Sequence, residues 1–179
     1  ALDYLDDENI IDFSDFDEDN DGYIDSITFL HSGYAAEWGS NDCYGAKRDD
    51  RIWSHKWMVY SDISGRNIGP WVSKNGVKVW DYHIEPALWD KCGDDIGHVG
   101  VIAHETGHFL GIPDLYDTDG GGQGLGAFCQ MANSWGFDGS QLYPGHMSAW
   151  VKMRLNWLQP VAPRHGVNII DNAEEATTG

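Results

Sequence analysis

Residues 104–114 read HETGHFLGIPD. On a helix, residues four apart share a face, so His104 and His108 can aim imidazole nitrogens at a single ion. Glu105 lies one step around from His104. That offset keeps it out of the ligand set yet within reach of a metal-bound water, for which it is a general base. Catalytic zinc usually takes three protein ligands and keeps a fourth position for water. Gly111 turns the chain, Pro113 stiffens it, and Asp114 follows three residues after the turn, where its carboxylate completes the set. His146 is the alternative third ligand if the chain folds back. Two neutral imidazoles and one carboxylate leave a net positive centre, which lowers the pKa of bound water and polarises a carbonyl. A bare HExxH string also arises on ordinary helices with surface histidines. Here the surrounding helix is apolar enough to lie inside the domain, where two histidines and a glutamate without partners would be costly.

A second stretch suits a harder cation. DFDEDNDGYID, residues 15–25, places Asp17, Asp19 and Asp21 at alternate positions, then Gly22, a Tyr23 backbone carbonyl and Asp25. This is the ligand spacing of a helix-loop-helix calcium loop, and Gly22 permits its sharp turn. Position 12 counted from Asp17 is Thr28, where such a loop needs a bidentate glutamate. The expectation is therefore a calcium loop feeding directly into a sheet; the plainer reading is an acidic turn solvated by water and sodium. Asp117 and Asp119 in DLYDTDGGG are either calcium ligands or ordinary loop residues.

The elements that must position these groups follow from pattern. YIDSITFLHSG, RIWSHKWMVY and VKVWDYHIEP have the β-branched and aromatic content of strands. The SKNG turn joins GPWVS to VKVWDYHI as a hairpin. From an N-cap at Asp94 or Asp95, a helix over IGHVGVIAHETGHFL places Ile96, Val99, Ile102, Ala103, Phe109 and Leu110 in the core. Gly111 ends it in the left-handed conformation. DTDGGGQGLG is an irregular loop. GHMSAWVKMRLNWL, between Pro144 and Pro160, is a second helix.

Bulk properties bound the partners. A 179-residue chain with 41% hydrophobic residues, 13% aromatics and 9 Trp folds as one compact domain. Its formal charge of −18 excludes nucleic acid and anionic membrane surfaces as partners. Ala1 to Asp25 holds eleven acidic residues and no lysine or arginine, a self-repelling stretch unless a cation is bound. No apolar run reaches the roughly 20 residues that span a bilayer, so membrane insertion is not expected. The first residues lack a signal peptide, which fits a processed or excised piece of a larger chain. The three cysteines have no metal-knuckle spacing. Cys43 and Cys92 lie in polar loops and form a candidate disulfide, while Cys129 in GAFCQMAN is a buried free thiol.

From about Asp15 to Leu158 the sequence resembles the catalytic domain of the immune inhibitor A-type metallopeptidases, secreted and mostly microbial zinc proteases related in architecture to the metzincins. The likeness rests on DEDNDGYID, FLHSG, RIWSHKW, HETGHFLGIPDLYD, CQMANSW and PGHMSAWVKMRLNW in that order. The resemblance implies an α+β, metzincin-like fold: a twisted N-terminal sheet, a buried active-site helix and a smaller C-terminal helical subdomain. It implies zinc on His104, His108 and Asp114, Glu105 as general base and acid, and Met131 in a methionine turn beneath the metal. Tyr116 matches an aromatic position of the family and is a candidate hydrogen-bond donor to the tetrahedral oxyanion, or a packed aromatic; Tyr143 is a second candidate. His31 and His55 read as structural polar contacts beside the cleft. The expected organisation is a catalytic domain over residues 1–162, with 1–25 an acidic calcium-loop lead-in, and a linker or further domain beginning at 163–179. The implied activity is zinc-dependent cleavage of extracellular proteins and peptides, with calcium as a second bound ion, and an inhibitory propeptide and further domains are candidate parts of the full-length chain. Two rivals stand beside it: a non-catalytic calcium-binding adhesive module that keeps the fold, and a zinc hydrolase acting on other acyl groups.

Overall fold

The structure, a computed structural model, describes residues 1–63, 66–162 and 165–166, so the segment expected to be a linker, residues 163–179, lies almost wholly outside the described residues. In chain order the elements are α1 (Leu2–Asp7), β1 (Thr28–His31), β2 (His55–Met58), β3 (Ser61–Ile63), β4 (Arg66–Ile68), β5 (Trp71–Val72), β6 (Lys78–Val79), β7 (Asp81–Pro86), α2 (Val99–Phe109) and α3 (Ala149–Arg154), with short 3₁₀ turns between them. Two compact units result, Ala1–Ser148 and Ala149–Gly179.

In the first unit the three predicted strand regions meet in one sheet of order β1-β7-β2, with β7 central, parallel to β1 and antiparallel to β2. The predicted hairpin is present as β5 and β6, closed by Ser73 and Val77 over a left-handed Gly76 (φ 90°). The acidic lead-in is not merely solvated. Leu2 and Phe13 pack with Val77 and Val79 into a core that the hairpin completes, and Phe13 meets Trp71 in a tilted ring contact at 4.8 Å. Their burial outweighs the repulsion between carboxylates, several of which find donors: Asp3 accepts from the Trp71 indole and Asp6 from the Lys74 backbone N–H.

The inward face of β7 is polar. His83 and Glu85 are only 2% and 1% exposed. His83 satisfies both ring nitrogens, with Nε2 2.7 Å from Thr28 Oγ1 and Nδ1 2.5 Å from Glu85 Oε1. Phe109 of α2 packs its ring against His83 at 5.3 Å, and α2 lies along β7 and β2. The site-bearing helix is thereby fastened to the sheet.

Two helix expectations need correction. α2 starts at Val99 and its N-cap is His98, not Asp94 or Asp95. Residues 95–97 instead pair with 87–89: Trp89 N–H donates to Asp95 O, Gly97 N–H to Ala87 O, and Leu88 bridges Ile96. Cross-chain pairing wins over local capping there. Ile96 is consequently 78% exposed and Val99 49%, and Leu110 at the other end of the helix is 45% exposed, so none of the three belongs to the core. The buried face of α2 carries Gly100, His104, Glu105 and Gly107.

The second helix is also shorter than its pattern, α3 spanning six residues in the second unit. It ends because Asn156 takes a left-handed conformation (φ 59°), with Trp157 N–H donating to Lys152 O and Asn156 N–H to Met153 O.

Candidate metal centre and active site

α2 closes as predicted, in a full Schellman motif. Gly111 is left-handed (φ 74°), its N–H donates to His108 O, and Ile112 N–H donates to Gly107 O. This reversal brings Asp114 back over the helix end. Asp114 Oδ1 lies 3.0 Å from His104 Nε2 and 3.4 Å from His108 Nε2. The donor atoms of His104, His108 and Asp114 all fall within 4.8 Å of one another. His146, the alternative ligand, is exposed and contributes only its backbone carbonyl, to Gln130 N–H.

The other nitrogen of each ring fixes its tautomer. His104 Nδ1 lies 3.0 Å from Gln130 O, and His108 Nδ1 2.7 Å from Ile112 O. A carbonyl can only accept, so each Nδ1 carries a hydrogen, and each Nε2 is turned toward the Asp114 carboxylate. A cation placed between the three groups, a proton or a metal ion, satisfies this arrangement. Two imidazoles and one carboxylate are the N,N,O donor set that suits zinc, and carbonyl-held Nδ1 atoms are the usual support of such ligands. The residues present therefore fit the metal. The hydrogen bond to Asp114 pushes His108 above the ordinary imidazole value, against the effect of burial. Burial would raise the Asp114 carboxyl, but hydrogen bonds from His104, His108 and Tyr116 outweigh it and hold the group well below the usual carboxylate range.

Glu105, 7% exposed, places Oε2 3.9 Å from His108 Nε2, beside the three-residue cluster and not a member of it. Tyr116 lays its ring parallel to His104 at 6.2 Å, and its phenol is pushed up to about 12 by burial and the neighbouring Asp114. Tyr143 is exposed and its side chain takes no part in the cavity beside His104 and Glu105. His55 bonds Trp53 O and Tyr82 Oη, the structural contact expected of it. His31 accepts from Gly33 N–H through Nδ1, while its Nε2 is buried without a partner.

Met131 sits at the apex of a tight turn in which Cys129 O accepts from both Ala132 N–H and Asn133 N–H. It is fully buried, and a Cβ at Gly107 would lie 2.3 Å from its Sδ, so the thioether presses directly against the helix between the two histidines. The same turn holds the ligand segments by backbone: Gln130 O takes the His104 hydrogen, Met131 O accepts from Leu115 N–H, and Gln130 Nε2 donates to Gly100 O. Sequence reasoning missed Gln130 and Ile112, because a carbonyl that orients a ligand leaves no mark on residue type. Gly100 and Gly107, two helical turns apart on one face, were a visible sign of close approach that went unread.

Asp17, Asp19 and Asp21 bring carboxylate oxygens within 4.8 Å of one another around left-handed Gly22 (φ 88°). Asp25 stands apart from that trio, accepting from Glu18 N–H at 3.1 Å. Cys43 and Cys92 are exposed thiols held side by side, with Cys43 N–H and Sγ both directed at Lys91 O. Cys129 is buried.

A small mixed sheet packed on the site helix, a His104, His108 and Asp114 cluster closed by a glycine turn and a buried methionine against that helix fit a metzincin-like metallopeptidase catalytic domain. Residues 2–160 match the family described as immune inhibitor A peptidase M6, catalytic domain, and the chain belongs to that family. It is 41% identical over 109 residues to an immune inhibitor A of Bacillus thuringiensis subsp. alesti, a match covering 58% of this chain and 14% of that protein. It is 31% identical over 147 residues to the pre-pro-metalloprotease PrtV of two Vibrio cholerae serotype O1 strains, covering 75% of this chain and 14% of each relative. The chain thus spans about one seventh of the length of these relatives.

Proposed function

We propose that this chain is the catalytic domain of a zinc-dependent endopeptidase that hydrolyses peptide bonds in extracellular proteins. The observation carrying the reading is the convergence of two carbonyl-fixed imidazoles and one carboxylate on a single point beside a buried glutamate. His104, His108 and Asp114 hold the ion. Bound zinc supplies a Lewis acid for the scissile carbonyl and makes a water acidic enough to ionise near neutral pH. Glu105 takes the proton of the attacking water and delivers it to the departing amine. Tyr116 keeps its proton at physiological pH and donates a hydrogen bond to the developing oxyanion. Met131 supports the floor of the site.

The test is a casein or gelatin gel run with the purified chain. Clearing is expected, lost with a zinc chelator and restored by added zinc; clearing that ignores the chelator would end the metallopeptidase reading. Because zinc binds the folded chain, its presence at about 100 times its Kd stabilises the protein by about 2.7 kcal/mol. Thermal unfolding with and without the chelator reads that shift independently of activity.

Calcium is proposed on the oxygens of Asp17, Asp19 and Asp21, joined by the Tyr23 carbonyl and Asp25 as the ion draws them in. Millimolar calcium should raise the thermal midpoint of the parent and leave that of Asp19→Ala unmoved; equal shifts in both would place calcium elsewhere. The catalytic domain is read as residues 1–162, supported by the family match to residues 2–160. An extracellular, secreted or cell-surface setting and an inhibitory propeptide are supported by the pre-pro form named for the Vibrio relatives. The same setting favours oxidation of Cys43 and Cys92 to a disulfide. No described helix is long and apolar enough to cross a membrane.

A further inference from the structure

Beside His104 and Glu105 opens a cavity of about 190 Å³, walled by the 132–135 segment on one side and by Glu37 and Ser54 on the other. Its size suits one long side chain and little more. Glu37 is held firmly there: Ser54 Oγ donates to Oε1 at 2.5 Å and Ser54 N–H to Oε2 at 3.3 Å. Each carboxylate oxygen keeps a free lone-pair direction, since a carboxylate accepts about four hydrogen bonds. Among the described residues no lysine or arginine forms an ion pair with Glu37.

The cavity lining includes two carboxylates, Glu37 and Glu105, and no lysine or arginine. Two-fold positive zinc against the Asp114 and Glu105 carboxylates sums to zero, so the Glu37 charge remains uncompensated. Trp53 and Trp135 add aromatic faces to the same walls, and such faces attract cations. Resting on the peptidase reading, we propose that Glu37 makes this cavity a specificity pocket for a basic side chain, lysine or arginine, next to the scissile bond. A neutral aliphatic residue would leave the Glu37 carboxylate partly desolvated and unpaired, and an acidic one would be repelled.

The test is cleavage-site profiling of a mixed peptide library by the zinc-loaded chain, read by mass spectrometry. Lysine and arginine should be enriched at one position flanking the cut, by about tenfold over leucine. Glu37→Gln should reduce that ratio to near unity, and Glu37→Lys should favour aspartate and glutamate at the same position. Cuts by the parent with no basic enrichment at any flanking position would overturn the inference while leaving the peptidase reading intact. An enrichment that survives in Glu37→Gln would overturn it too. Absence of any cleavage by the zinc-loaded parent would sink the peptidase reading and the pocket with it. The parent profile alone decides even if a variant fails to fold.

Discussion

Glu105→Gln should retain zinc at the parental level and lower peptide cleavage by about 10²–10⁴-fold, the usual contribution of a positioned proton carrier. Glutamine keeps the size of the side chain, and Glu105 lies outside the cluster of His104, His108 and Asp114, whose imidazoles are held by Gln130 O and Ile112 O. Metal retention and loss of turnover should therefore separate cleanly. Zinc counted per chain, alongside kcat and KM on one fluorogenic peptide, reads both. The loss should fall on kcat, because the group acts on the proton in flight rather than on bound substrate. A variant cleaving as fast as the parent would remove Glu105 from the chemistry and assign the proton to another carrier. A variant that also loses zinc would show that the carboxylate holds the site together instead.

Gly100→Ala should destabilise the first unit by about 2–3 kcal/mol, although alanine is the better helix former by about 1 kcal/mol. The propensity gain loses because the obstacle is rigid. A Cβ there would lie 2.2 Å from Ser134 O and 2.7 Å from Gln141 Cβ, and Gly100 N–H already donates to Gln141 O. Either the 134–141 segment moves or α2 does, and α2 carries the ligands. The expected drop in thermal midpoint is roughly 5–10 °C. Gly111→Ala is the control: nothing lies within 4 Å of its Cβ, so it bears only the left-handed backbone strain, about 1 kcal/mol. Equal midpoints for Gly100→Ala and the parent would mean that the helix and the 134–141 segment are not packed as described.

What could be read from the sequence was local. The Asn-Gly hairpin, the Gly111 stop and the ligand triad depend on residues within a few positions of one another, where turn chemistry and helical spacing act directly. What escaped depends on distant chain. The N-terminus of α2 is set by the pairing of residues 95–97 with 87–89, which no capping rule foresees. The helix was expected to bury its aliphatic residues; it buries glycines, His104 and Glu105, because the methionine turn must come close enough for Gln130 O to reach His104. Met131 itself is an ordinary apolar residue in isolation, and only family likeness singled it out. Glu37 was passed over altogether, since a lone glutamate in AAEWGS acquires meaning only when Ser54 fixes it in a cavity wall.

The proposed ligands sit only ten residues apart between His104 and Asp114, yet the carbonyl that steers His104 arrives from 26 residues away. Closing the short loop costs little chain entropy, so a nascent chain can take up metal loosely before its architecture is complete. Firm retention has to wait until the methionine turn docks. On the proposed zinc reading, metal affinity would gauge how far folding has progressed, and a chelator of graded strength should strip half-folded chains while sparing finished ones.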